Sequence, residues 1–327
     1  MKAHAYQFHK ENIYIDGLNA SYFLNPLVFE NIFKGEVTAL NGTIAAWHGY
    51  DETMEIINTL RAIVDKYQDK IILVKGTQDI YRAKADKKLG FIMGFQDSNP
   101  IGDKLQAIAE YASLGVRIIQ LTYNTTNHIG SGCMVEDKGL TKFGREAIAE
   151  MNRVGILIDV SHCGPRTSME AIAASDMPIA ITHANPFALC PHPRNKSNEA
   201  IKSLANKGGV IGANAFPFML PNGQKASIDD YLNVIDYLID LVGDEHVALG
   251  PDFMEGMPEE VANQVLKDVP DEMRKQMKGM PVCRGFESVA KSTELTLGLF
   301  KRGYSEDAIK NIIGLNWVNL YKRTWKR

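Results

Sequence analysis

Short β-branched apolar runs alternate along the chain with longer stretches in which apolar residues recur every three or four positions. The clearest unit lies in 144–195. Ala147, Ile148, Met151 and Val154 keep helical spacing, Gly155 breaks it, and 156–160 (ILIDV) is too short and too branched for a helix. This predicts a helix followed by a buried strand that runs into Ser161, His162, Cys163, Gly164 and Pro165. Thr167, three residues before Glu170, predicts a capping box at the start of the next helix. The pattern repeats at once, because 178–182 (PIAIT) reads as another short strand and His183 follows it directly. Two consecutive strand-to-helix units therefore carry a histidine at the same relative place. In a parallel sheet that place is the carboxyl edge, where ligands bind.

The same alternation extends in both directions. Strands are predicted at 13–16, 37–46, 71–74, 91–94, 117–121, 210–214 and 247–250, and helices at 54–67, 79–88, 104–114, 199–206 and 228–242. The count is about nine strands, one more than a (β/α)8 barrel requires, with 71–74 as the extra one. Strand-helix alternation with short connections predicts the α/β class with a parallel sheet, and the length favours a TIM-like barrel over a doubly wound sheet. No phosphate loop or GxGxxG follows any strand, which also argues against the doubly wound form. One barrel domain over 1–327 is expected, with an insertion or lid at 254–281, a stretch rich in Met, Glu, Lys and Pro.

Composition narrows the classes. The 327 residues are 45% hydrophobic and 23% charged, with a net charge of −3 and no basic cluster on an aromatic face, so no nucleic-acid partner is expected. No run of about twenty apolar residues occurs, and the opening MKAHAYQFHKENIYIDG lacks the apolar core of a signal peptide, so a cytoplasmic protein without membrane contact is expected. Cys133, Cys163, Cys190 and Cys283 lack the paired spacing of a zinc ribbon or disulfide framework, and read as reduced thiols.

A single histidine at a strand end is commonly a structural hydrogen-bonding group. His162 and His183 on successive strands, with Asp252 after the last strand, point instead to a polar site facing one pocket. Two imidazoles and a carboxylate match the ligand count of an open zinc site whose water loses a proton near neutrality. Gln96 offers a neutral amide oxygen, a weak ligand for zinc. Arg194, in a proline-rich loop, reads either as a surface or capping cation or as a fork for a carboxylate. Tyr123 and Asn124 sit where they could position a carbonyl, although packing is an equal reading for the tyrosine. His48, His128 and His192 read as loop or supporting residues, Glu255 as a solvated loop residue, and Cys163 as a buried thiol.

The motifs GLTKFG (139–144), EMNRVG (150–155), DVSH (159–162), Thr182-His183 and HPRN (192–195), in this order and flanked by Asp16-Gly17 and Asn316-Trp317, resemble the membrane (renal) dipeptidase family of zinc dipeptidases. The resemblance implies a barrel of the metallo-dependent hydrolase type. Family chemistry uses two zinc ions bridged by a glutamate, with a hydroxide that attacks the peptide carbonyl. By resemblance, His162 and His183 match the histidines of one zinc, Arg194 the receptor of the substrate carboxylate, and Asp252 the aspartate that assists proton transfer. The departures fall on the other zinc. The His-x-Asp pair of the first strand is Leu18-Asn19-Ala20 here, the bridging glutamate is Gln96, and a substrate-contacting histidine is Tyr123. The expected function is therefore a dipeptidase-like metallohydrolase with zero or one zinc per chain, acting on a small amide or dipeptide with a free carboxylate. The alternative is a barrel that has lost hydrolysis and binds a small amino-acid-like ligand. A homodimer is expected from the resemblance alone.

Overall fold

Strands enclosed on both faces read as unbroken apolar runs, and the runs picked out above fold into one parallel sheet that curls on itself. The computed structural model describes residues 1–267 and 279–326. Its strands are β1 (Ile15–Asn19), β2 (Ala39–Ala45), β3 (Ile71–Leu73), β4 (Leu89–Phe95), β5 (Val116–Gln120), β6 (Leu157–Asp159), β7 (Ala180–Ile181), β8 (Val210–Ala213) and β9 (Val247–Leu249). Eight of them follow the order β1-β2-β4-β5-β6-β7-β8-β9, every neighbouring pair parallel. The extra strand is the one expected. β3 pairs with the start of β4 at Leu89 to Phe91, and β5 takes over along Met93 to Phe95. Since β2 occupies the other edge of β4, β3 lies outside the ring.

The ring closes between β1 and the residues after β9. Asn19 bridges Phe253, Asp252 N donates to Leu18 O (3.0 Å), and Ala20 N donates to Phe253 O (2.8 Å). Each of the eight barrel strands sends one apolar side chain into an inner cluster: Ile15, Ala39, Ile92, Ile118, Leu157, Ala180, Val210 and Ala248. Trp317, Val318, Leu320, Tyr321 and Trp325 pack against them from the helix Asn316–Thr324 and the residue after it, sealing the barrel opposite the site. Trp317 is fully buried and its indole N–H donates to Leu249 O (2.9 Å). Gly17 leaves room for this plug, because a Cβ there would stand 2.5 Å from the indole. Burying one such ring contributes roughly 4–6 kcal/mol of transfer free energy.

Two local expectations need correction. The helix after β6 is Pro165–Ala174, with Gly164 as its N-cap and proline at its first position. Thr167 lies inside it and donates to Asp137 Oδ1 (2.7 Å), while Asp137 Oδ2 accepts the amides of Arg166 (2.6 Å) and Thr167 (3.0 Å). Glu170 pairs with Arg145 and Arg166 instead of reaching back to a cap. A carboxylate from a preceding loop thus does the work that the local pattern assigned to Thr167. The strand at 178–182 contracts to β7, because Pro178 has no N–H to pair and the amide of Thr182 turns to a carboxylate. Within the expected insertion at 254–281, Glu259–Val265 is helical, and 268–278 lie outside the described residues.

Candidate functional site

The carboxyl ends of the barrel strands open into a cavity of about 610 Å³. Six of the seven site residues expected from sequence line it: Gln96 after β4, Tyr123 and Asn124 after β5, His162 after β6, Arg194 in the loop after β7, and Asp252 after β9. His183 does not. It is 0% exposed and stands behind His162, whose Nε2 faces its own Nε2 at 2.9 Å.

Behind the histidines lies a hydrogen-bonded anchor. Asp159, buried at the end of β6, accepts from the amides of Ser161 (3.0 Å) and Thr182 (3.0 Å) and from both of their hydroxyls (2.6 Å each). With the Thr182 hydroxyl proton spent on Asp159, Thr182 Oγ1 accepts from His183 Nδ1 (2.7 Å), which leaves a lone pair on His183 Nε2. His162 Nδ1 donates to the Asn124 side-chain oxygen (2.7 Å), so its Nε2 also carries a lone pair, and the two Nε2 atoms face each other. Burial, then the positive charges of Arg194 and Lys196, hold both imidazoles well below the usual histidine range, so both are neutral. Burial pushes the Asp159 carboxyl up, against the pull of its hydroxyl donors.

Arg194 is 5% exposed, and its guanidinium donates to the carbonyls of Ser161 and His183, the latter at 3.1 Å. Among the described residues it forms no ion pair with a carboxylate. His192 Nδ1 accepts from its amide (3.2 Å) and fixes the loop. Asp252, partly buried on the cavity wall, is pushed up to about 6 by burial, and Arg194 and the hydrogen bond from Asn214 (3.2 Å) pull it back. Asn124 and Asp252 both have left-handed backbones, φ 60° and 65°, and they are two of the four such non-glycine residues described. Conformations of this kind persist where surrounding structure over-determines them, and they cluster at ligand sites.

Tyr123 stacks on the His162 ring at 4.2 Å, and Trp47 meets Tyr123 edge-on at 5.5 Å, so packing and cavity lining coexist at this tyrosine. His48 and His192 reach the cavity wall, whereas His128 is exposed. Glu255 is neither solvated nor in the cavity. Its carboxylate ties Asn31 (2.6 Å), Ser288 (2.9 Å) and the amide of Val289 (2.8 Å) together, partners drawn from two distant segments. Cys163 is buried, accepts from Thr122 (3.3 Å), and its thiol is pushed up to about 12 by burial, so it is not a thiolate. All four cysteines are free. Sequence reasoning gave no role to Asp159, Ser161 or Thr182, though they fall in the quoted motifs, and did not single out Lys196 or Asn214. A carboxylate inside the apolar run 156–160 was the available signal for the first, since a buried charge demands partners.

The donor set fits one metal ion at most. Neutral imidazoles are the ligating form, and the two Nε2 lone pairs face each other at 2.9 Å. Among the described residues nothing completes a second centre. Leu18 and Ala20 carry no donor, and the Gln96 amide nitrogen donates to Thr43 Oγ1 (2.8 Å). Among the described residues no group of three or more His, Cys, Asp or Glu could hold an ion, so a metal between His162 and His183 would have only two protein ligands. No described helix is long and apolar enough to cross a membrane.

A family model described as membrane dipeptidase (peptidase family M19) matches residues 27–274. An uncharacterized dipeptidase of Schizosaccharomyces pombe is 29% identical over 282 residues, which cover 84% of this chain and 62% of that protein. A dipeptidase of Claviceps purpurea is 25% identical over 278 residues, covering 83% and 59%. The chain therefore spans less than two thirds of the length of these curated relatives. Among solved structures, an amidohydrolase from Pseudomonas aeruginosa matches with a TM-score of 0.93 at 36% identity, covering 98% of this chain and 99% of that one. A metallo peptidase from Rhodobacter sphaeroides, liganded with a phosphinate mimic of the dipeptide L-Ala-D-Ala, matches with a TM-score of 0.80 at 20% identity, covering 96% and 100%, a likeness of fold alone. With a family model over most of its length and a barrel that superposes on the Pseudomonas aeruginosa amidohydrolase end to end, the chain belongs to the membrane dipeptidase family, peptidase family M19.

Proposed function

We propose that this protein is a dipeptidase-like hydrolase of small amides or dipeptides with a free carboxylate, and that Arg194 receives that carboxylate. The observation that carries this reading is the Arg194 guanidinium: 5% exposed, on the cavity wall, and without an anionic partner among the described residues. A buried cation is costly unless paired, and a carboxylate that accepts two parallel N–H bonds is the natural complement of a guanidinium.

Hydrolysis adds water across the amide. The hydroxyl goes to the acyl carbon, the C–N bond breaks with its electron pair on nitrogen, and the nitrogen gains a proton. Asp252, poised at about 6, takes the proton from the attacking water and returns it to the leaving amine. Tyr123 and Asn124 orient the carbonyl from the end of β5. A single zinc between His162 and His183, when bound, would supply Lewis acidity and a more acidic water. The reading extends to a single barrel domain over 1–327 with an insertion or lid at 254–281, of which 268–278 lie outside the described residues, to a homodimer, and to a cytoplasmic location, the last in keeping with four free thiols.

The test is a panel of dipeptides and N-acyl amino acids, each paired with its C-terminal amide and assayed with added zinc and after chelation. Hydrolysis of the free acids, weakened at least tenfold by amidation, is expected. Carboxylate-dependent binding without turnover under either condition would move the protein to the alternative reading, an amino-acid-binding barrel. Equal handling of acids and amides would refute the role of Arg194.

A further inference from the structure

The barrel order divides the cavity into two unlike halves. The strand ends from β4 to β7 carry the polar groups Gln96, Asn124, His162 and Arg194. The remaining arc, from β8 through β9 and β1 to β2, is lined mainly by apolar side chains, beside the polar Ser21, Thr43, His48, Asp252, Glu260 and Gln264. Phe218 follows β8, Met257 and Val261 follow β9, Leu24 follows β1, and Ile56 and Leu60 stand on the helix Tyr50–Lys66 that follows β2. The helix Glu259–Val265 turns Val261 and Val265 toward the same space. The arc includes the β1 end, where Leu18 and Ala20 stand. Asp252 and Glu260 are the charged side chains that line this arc, and apolar surface makes up most of the rest.

A cavity of about 610 Å³ lies in the middle of the range that encloses drug-sized ligands. With the carboxylate at Arg194 and the amide beside Asp252, the rest of the ligand extends into the apolar arc. We propose that the β8–β9–β1–β2 arc is a subsite for an extended apolar group on the acyl side of the amide, so that the preferred substrates are amphiphilic N-acyl amino acids or dipeptides with a large apolar N-terminal side chain. This rests on the carboxylate-and-amide reading above.

N-alkylsulfonyl glycines probe the subsite without turnover, because a sulfonamide replaces the amide. Methyl, hexyl and decyl members, each with its glycinamide counterpart, are titrated calorimetrically against the full chain. The expected result is a gain of about fourfold in affinity per buried methylene, until the space is filled. Val261→Asp, on a partly exposed helix, and Ile56→Ser, on the facing wall, should flatten this dependence. A spread below twofold between the methyl and decyl compounds overturns the subsite, as does an unchanged chain-length dependence in both variants. The glycinamides separate the two ideas. If they bind as well as the free acids while the chain-length gain persists, the carboxylate reading fails and the apolar subsite stands. If acids are preferred but chain length is without effect, only the subsite fails.

Discussion

Replacing Arg194 by lysine or methionine separates a ligand clamp from a structural clip. In the free protein the guanidinium donates to the carbonyls of Ser161 and His183 and meets no carboxylate among the described residues. Its charge is taken out of water without an opposite charge in contact, a cost of several kcal/mol. Arg194→Met keeps a comparable apolar stem, loses two charge-assisted hydrogen bonds of about 1.5–3 kcal/mol each, and sheds that desolvation cost. The two changes oppose each other, so the unfolding free energy should move by no more than about 2 kcal/mol. Ligand binding has no such compensation. Losing one charge-assisted contact, as in Arg194→Lys, should weaken a carboxylate ligand by about 10- to 160-fold, and Arg194→Met should weaken it further. Urea unfolding and calorimetric titration of the same three proteins read the two quantities separately. A large loss of stability with unchanged affinity in Arg194→Lys would refute the clamp and make Arg194 a strut for the Ser161 and His183 backbone.

Three further outcomes follow from the geometry. Burial raises Asp252 from 3.8 to about 6, so its contribution to stability is fully present below about 3.8 and is lost as pH rises through about 6. Asp252→Asn should therefore gain on wild type between pH 4 and pH 7 by up to about 3 kcal/mol in urea unfolding, less whatever solvent screening removes at this partly buried site; a constant difference across that range would contradict the shift. Elemental analysis after zinc loading and desalting should find no more than one zinc per chain, and Gln96→Glu should raise occupancy at His162 and His183 without creating a second site; a second ion in either protein would contradict the reading of Leu18 and Ala20. Trp317→Ala removes the plug and its bond to Leu249, and should cost about 3–5 kcal/mol in the same unfolding assay while leaving ligand affinity unchanged, since Trp317 lies at the opposite end of the barrel.

What could be read from sequence, and what could not, divides along a physical line. Periodicity reports which way a residue faces within its own element, so the strands, the long helix Ile228–Val242 and even the surplus status of β3 were legible. Placing His162, Arg194 and Asp252 at one mouth required only the rule that βα loops gather at one end of a barrel. Depth is another matter. His162 and His183 have the same sequence context, yet one meets the cavity and the other is screened by the first, a difference set by Tyr123 and Asn124 from β5. Asp137 and Glu255 are the same lesson for charged groups. Glu255 reads as a loop residue and Asp137 draws no reading at all, and each has partners far away along the chain, where no local pattern reports them.

The charge balance of the pocket links metal and ligand. Arg194 and Lys196 are buried cations, and the Lys196 ammonium, pushed down to about 8 by burial, donates to Cys163 O (2.7 Å) and Ser168 Oγ (3.0 Å) among the described residues. Against them stand Asp159, already saturated by four donors, and Asp252. A divalent ion between His162 and His183 would enter through two neutral ligands, and would add two positive charges to a low-dielectric space from which the glutamate and aspartate of the family pattern are missing. A ligand carboxylate is the negative charge that offsets this. Each then raises the affinity of the other, because a coupling free energy between two sites is reciprocal. On the proposed reading, weak metal retention in the free protein would be compatible with a metal-assisted reaction in the ligand complex, and the missing carboxylates would be a reason for the substrate to carry one.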